Sequence, residues 1–341
     1  MTSEYIEYII NNEIQRVSNL NSDNSIADGA MGVALFLIWY GRKYSIDSYI
    51  NEGVHMIESR CQNLSSNDPL DVHRGHVGLA MGILWLSSSK ILTAPISDVL
   101  QQIDDNIFKN VTSRLNNIEK KHIGSLIDIA YYIALRLKYH SFKTTDTVIY
   151  SKLLSKIINT IYPKFYNNIA VEVYPGSYSY TLPRFILLLE CSLGNSFDYR
   201  IMRIIEEIQP HVLAQIPYLI SNRLALANAI ITLSHKIQLH YRWCKHAKLL
   251  FESIDSQDLK NEYKTNQMSL YNGFGWFAIQ LLIHRKICSN NTSILFDTLK
   301  LNLEKSTVTN FTYEELMRRD FLGIYGILGH IFIRLNIEQF T

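Results

Sequence analysis

Two histidines three residues apart, His73 and His76, form the pair in this chain best placed to do chemistry. On one turn of helix, side chains at that spacing face the same side. Two such imidazoles suit either a metal ion or a polar ligand, and His122 and His330 would join them if the fold gathers all four. The four cysteines, Cys61, Cys191, Cys244 and Cys288, are widely spaced and form no CxxC pair. They read as reduced thiols of a cytoplasmic protein rather than as a disulfide framework. Cys244 and His246 stand together in RWCKH, at the start of an amphipathic segment.

A second chemistry belongs to the acids. Asp28, Asp71, Glu172 and Asp320 recur just before apolar segments, and Asp128 lies just inside one. Two carboxylates facing each other across a cavity are the equipment of glycoside hydrolysis. Aspartates at helix starts also cap helices and complement the dipole, so both readings stand at this point. A third group is aromatic and polar: Tyr174, Tyr178, Tyr180, Tyr271, Trp276 and Tyr325, with Ser179, Asn222, Arg223 and Asn272 beside them. Tyrosine offers a flat face and a hydrogen-bonding tip, which suits holding a peptide or a sugar and equally suits packing between helices.

The elements that must position these residues are found through glycine. Of the 15 glycines, ten sit in short clusters whose leading members are Gly29, Gly75, Gly124, Gly176, Gly273 and Gly323. The spacings are 46, 49, 52, 97 and 50 residues. The long one is two periods, so a further repeat starts near 224, where RLALANAIITLSHK supplies the apolar run without the glycine. After each lead-in point comes a segment apolar nearly all round, such as VALFLIWY or WFAIQLLI, and such a helix must be covered on most sides. Between them lie segments with one apolar and one polar face, among them 5–17, 97–115, 147–161, 199–212 and 244–254. Only 170–174 alternates like a short strand.

The pattern is therefore all-α, with about fourteen helices in seven helix-pair repeats, whose lead-in points fall near 29, 75, 124, 176, 224, 273 and 323. An open superhelix needs polar caps on its terminal repeats. The first and seventh repeats are as apolar as the rest, which predicts closure into an α/α toroid, one domain over 1–341. The inner helices then point their N-termini at one end, a mouth with partial positive charge suited to polar or anionic groups.

Composition narrows the partners. Charged residues make up 19% of the chain and the net charge is +2, so no concentrated basic face speaks for nucleic acid. No apolar run reaches the roughly 18–20 residues that span a bilayer. The N-terminal stretch does not read as a signal peptide, and a cytoplasmic location is expected.

DGAMGVALFL, RGHVGLAMGIL, NGFGWFAIQLL and LGIYGILGHIF resemble the helix lead-in motif of the lanthionine synthetase C-like proteins, along essentially the whole chain. These are cyclases that form thioether rings in ribosomally made peptides, and the resemblance implies their sevenfold α/α toroid and a zinc ion. The family holds zinc with a cysteine at the fifth inner helix and a Cys-His pair at the sixth, and keeps a histidine at the fourth. This chain departs at all three places. It has Ser221, Asn222 and Arg223 at the fifth, Tyr271 and Asn272 at the sixth, and Tyr178 and Ser179 at the fourth. Serine, asparagine and neutral tyrosine are poor zinc ligands. The expectation is a relative without metal or other cofactor, whose candidate binding residues are His73, His76, Tyr178, Ser179, Asn222, Arg223, Tyr271, Asn272 and Asp320. Its partner would be a precursor peptide or a peptide-modifying enzyme. The alternatives are a carboxylate glycoside hydrolase or lyase on the same toroid, and a zinc-dependent cyclase with ligands relocated to His73, His76 and His122.

Overall fold

The computed structural model describes residues 1–19, 24–62, 64, 69–92, 96–115, 123–139, 144–167, 176–262, 269–288, 292–304 and 306–337. Outer and inner helices alternate along the chain. They begin with α1 (Ser3–Asn19), α2 (Ala30–Tyr44), α3 (Asp47–Gln62) and α4 (His76–Ser88). A short α5 (Ile96–Val99) precedes α6 (Gln101–Arg114), α7 (Ile123–Lys138), α8 (Thr144–Asn167) and α9 (Thr181–Ser192). There follow α10 (Asp198–Ala214), α11 (Ile220–Lys236), α12 (Tyr241–Glu252) and α13 (Ser256–Glu262). The chain continues with α14 (Gly273–Ile287), α15 (Ser293–Glu304), α16 (Tyr313–Arg318) and α17 (Ile327–Ile337).

The inner helices are α2, α4, α7, α9, α11, α14 and α17. Each packs on the next, and α17 packs back on α2, so the ring closes as an α/α toroid. Their sequences explain the burial: α4 hides His76, Val77, Gly78, Leu79 and Ala80 in succession, because inner helices are covered by ring neighbours and by the outer layer. The outer helices bury a stripe instead. In α10 it is Ile201, Ile204, Ile205, Ile208 and Val212, at helical spacing, while the opposite face is polar.

Closure is clasped by one buried carboxylate. Glu13 of α1 accepts hydrogen bonds from Arg16 (2.6 Å), the Tyr313 hydroxyl (2.8 Å) and the Gly323 amide (3.2 Å), tying the first repeat to the last. Gly323 has φ +63°, and a Cβ there would overlap the backbone of Ala27 and Asp28. Glycine is thus required where the seventh lead-in crosses the first. Elsewhere the glycine period reports close approach: a Cβ on Gly32 or Gly78 would strike the carbonyl six residues before it, of Ile26 or Val72.

The fifth inner helix starts at Ile220, in the lead-in that has no glycine, and its first amide is capped by the Glu262 carboxylate at 2.6 Å. Two details depart from the sequence expectations. The amphipathic stretch 97–115 breaks at Leu100 into α5 and α6. The helix α16 was not apparent from periodicity, although Thr312 and Glu315 form a capping box at its start. The strand expected at 170–174 lies outside the described residues, as do His122, Glu172 and Tyr174. Among the described residues there is no strand, only one antiparallel bridge between Ser177 and Asn272. No described helix is long and apolar enough to cross a membrane.

Candidate functional site at the mouth of the ring

The lead-ins of the seven inner helices meet at one end. The first and second are joined where the Ile26 and Ala27 amides donate to the His73 carbonyl (3.1 and 3.2 Å), and the seventh and first where the Tyr325 amide donates to the Ala27 carbonyl (3.0 Å). The fourth and sixth pair across the mouth. The Tyr178 amide donates to Tyr271 (2.8 Å) and the Gly273 amide to Gly176 (3.0 Å), flanking the Ser177–Asn272 bridge. The fifth comes in beneath them: a Cβ on Gly176 would overlap the Ser221 hydroxyl. These backbone contacts bring side chains from sequence-distant loops together.

At the centre is His73. Its ring meets Tyr178 and Tyr271 edge-on, with centroids at 5.0 and 4.8 Å, and Tyr325 at 5.5 Å. Its Nδ1 is 2.6 Å from the Tyr325 hydroxyl. Tyr271 stacks on Tyr325 at 5.6 Å, and Trp276 meets Tyr178 edge-on at 6.0 Å. Edge-to-face and offset arrangements at these distances are favourable for aromatic pairs. Burial lowers the pKa of His73 below its ordinary value, so it is a neutral imidazole at physiological pH.

Beneath the rings lies an ion pair. The Tyr178 hydroxyl donates to Asp128 at 2.8 Å, and Arg184 also donates to Asp128. The Arg184 guanidinium lies over the Tyr178 ring at 4.2 Å and reaches the Gly124 carbonyl at 2.8 Å, which ties in the third lead-in. Burial first, then the Asp128 carboxylate, raise the Tyr178 pKa, so its hydroxyl keeps its proton and acts as a donor.

The sequence-predicted residues divide accordingly. His73, Tyr178 and Tyr271 form the cluster, and Asn272 and Ser179 border it, the latter through a hydrogen bond between the Ser177 and Ser179 hydroxyls. Asn222 is buried beside Gly176, below the rings. His76 is buried in the first turn of α4, while His73 sits in the loop before it. Arg223 spends its guanidinium on the carbonyls of Pro217 (2.6 Å), Ser253 (3.0 Å) and Tyr218 (3.2 Å), stapling loops rather than facing the rings. Asp320 is exposed beyond the end of α16, with φ +51°. Arg184 was missed. Its signal was a lone cation inside TLPRFILLL, matched by the lone Asp128 in IDIAYYIA of the neighbouring repeat; unpaired charges seldom sit in helices that apolar.

The residues at the three positions where the resemblance places zinc ligands do not fit a zinc ion. Tyr271 and Asn272 carry neutral side chains, Ser221 donates to Glu262 at 3.1 Å, and Tyr178 donates to Asp128. Among the described residues, no three His, Cys, Asp or Glu side chains gather as a metal site. Compared with known protein families and with curated proteins, the chain matches no family model and no curated sequence.

Proposed function

We propose that this chain is a lanthionine-cyclase-like toroid without zinc chemistry, whose mouth holds a precursor peptide, or docks a peptide-modifying enzyme, during maturation of a ribosomally made peptide. The observation that carries the reading is the aromatic cluster of His73, Tyr178, Tyr271, Trp276 and Tyr325, which gathers at the convergence of the inner helices. Its rings are partly exposed. They present flat apolar faces and phenolic O–H tips. That combination suits an extended peptide, which offers carbonyl acceptors along its length and side chains to lie on the rings.

Three of the acids at the lead-ins are already engaged, which favours binding over hydrolysis; Asp320 is exposed, beyond the end of α16. A glycosidase needs one protonated carboxyl and one available carboxylate. Here the Asp71 carboxylate accepts from the His73 and Arg74 amides (2.8 and 2.7 Å), Asp28 accepts from Ser25 (2.9 Å), and Asp128 is held by Arg184 and Tyr178.

Binding is tested by titrating Ser-, Thr- and Cys-rich peptides while following indole fluorescence, with Trp276→Phe identifying the reporting residue. Saturable binding is expected, and Tyr271→Ala should weaken it about tenfold, the effect of removing a buried aromatic anchor. Absence of saturable binding by such peptides, together with no co-purifying maturation enzyme, overturns the reading.

A further inference from the structure

Away from the mouth, a groove of about 590 Å³ opens in the wall between α11, α12 and α14. That volume falls in the range of small-molecule sites. Ile230, Ile231, Ala247 and Phe251 give it an apolar lining. The two charged residues on its rim, Lys248 and Glu252, pair with each other at 3.6 Å, and Ser234 donates to the Ile231 carbonyl at 2.7 Å. Neither arrangement leaves a charge for an ionic ligand.

One polar atom in this wall is left over. His284 lines the groove, is fully buried, and stacks on Phe251 with centroids 4.1 Å apart. Its Nδ1 lies 2.8 Å from the Asn228 side-chain oxygen. Asn228 is itself oriented, because its amide nitrogen donates to the Gln280 carbonyl (2.8 Å) and to the Gln280 side-chain oxygen (3.1 Å). The Asn228 oxygen can only accept, so Nδ1 carries the hydrogen and Nε2 carries a lone pair. That Nε2 is buried and has no hydrogen-bond partner. A buried acceptor left unsatisfied costs about 1–3 kcal/mol. The relay through Gln280 and Asn228 holds the imidazole in the tautomer that leaves it so.

We infer that this groove binds a small neutral molecule with an apolar body and one O–H or N–H donor, which is received by His284 Nε2. The apolar lining takes the body, the opposite rim charges give no net attraction for an ion, and the fixed lone pair selects for a donor. The inference stands apart from the peptide reading of the mouth, and its test does not depend on it.

Phenol and toluene are the probes, being alike in shape and different in the donor. With the full chain and 15N-histidine labelling, phenol should shift the His284 Nε2 resonance, and toluene should bind roughly tenfold more weakly, one hydrogen bond's worth. Phenol should also slow iodoacetamide alkylation of Cys244, which lines the same groove and is exposed. His284→Phe keeps the ring and removes the acceptor, so phenol affinity should fall to the toluene level. Ser234→Trp, at a partly exposed lining position, should fill the groove and abolish both. Equal binding of the two probes to the wild type, phenol binding that leaves Cys244 alkylation unchanged, or no binding of phenol would each overturn the proposal.

Discussion

A carboxylate, a tyrosine and an arginine meet at three places in this ring, and the surroundings decide what they do. In the wall, Asp104 of α6 accepts from the Tyr132 hydroxyl (2.7 Å) and from Arg136, both of α7, and the two ion-pair side chains are 1–2% exposed. At the closure, Glu13 accepts from Tyr313 and Arg16. At the mouth, Asp128 accepts from Tyr178 and Arg184, the Asp128 and Arg184 side chains are 6% and 11% exposed, and the Tyr178 ring is shared among the other aromatics. The first two trios bind helix to helix. The third joins α7 to α9 with the same bonds, and its tyrosine, on the fourth lead-in, is the one of the three that is partly exposed.

If that contrast is right, deleting the carboxylate should cost most in the wall. Asp104→Ala removes the one carboxylate that both the buried Arg136 guanidinium and the buried Tyr132 hydroxyl meet, a loss of about 3–5 kcal/mol. Asp128→Ala should cost about 1–3 kcal/mol, because Arg184 keeps the Gly124 and Tyr178 carbonyls as acceptors. Urea unfolding of both variants measures the difference, and equal losses would break the comparison.

His330 is the opposite case, a buried polar group of α17 with no hydrogen-bond partner on either ring nitrogen among the described residues. Burial, with the nearby Arg334, pushes its pKa down to about 4. The native state therefore holds it neutral, while the unfolded chain takes up a proton below its ordinary value near 6.5. Its contribution to stability is complete above about pH 6.5 and is lost as the pH falls from there toward 4, roughly 3 kcal/mol in all. His330→Leu should flatten stability across that window. A variant as acid-sensitive as the wild type would show that the unpaired imidazole is not the cause.

The closure trio should lose less than the wall and about as much as the mouth. Glu13→Gln leaves one acceptor oxygen where Tyr313 and Gly323 use two, and removes the charge facing Arg16, a loss of about 2 kcal/mol. Hydrogen exchange should quicken in α1 and α16 before it does in α6 and α7. Uniform quickening would mean that the ring opens as one unit rather than at its seam.

The ring was legible in the sequence because each inner helix carries its own signature, an apolar run behind a glycine that the fold needs for close approach, as at Gly32 and Gly78. The fifth repeat could be placed only from the period, because its lead-in has no glycine; its helix starts at Ile220, where Glu262, 42 residues downstream, caps the first amide. His73, Tyr178 and Tyr271 were legible as aromatic or basic residues at lead-ins, since all lead-ins of a closed ring share one end. Their order around His73 was not, because it depends on the fourth and sixth loops pairing across the mouth. The His284 relay left no local mark at all: Asn228 and Gln280 read as ordinary polar residues within apolar helices, and only the packing of α11 on α14 brings them together.

The smallest expected effect tests what the mouth trio is for. Tyr178→Phe removes one hydrogen bond to Asp128 and keeps the ring, so stability should fall by about 1 kcal/mol or less. If the ring rather than the hydroxyl serves an incoming peptide, its affinity should change little in Tyr178→Phe and fall about tenfold in Tyr178→Ala. In the wall the balance should reverse. Tyr132 is wholly buried, so Tyr132→Phe strands part of the Asp104 carboxylate without water and should cost more than Tyr178→Phe, about 1–3 kcal/mol. Should the two phenylalanine variants lose the same stability, or should the two Tyr178 variants bind peptide alike, then the mouth trio is one more staple, and the aromatic face above it has no part in binding.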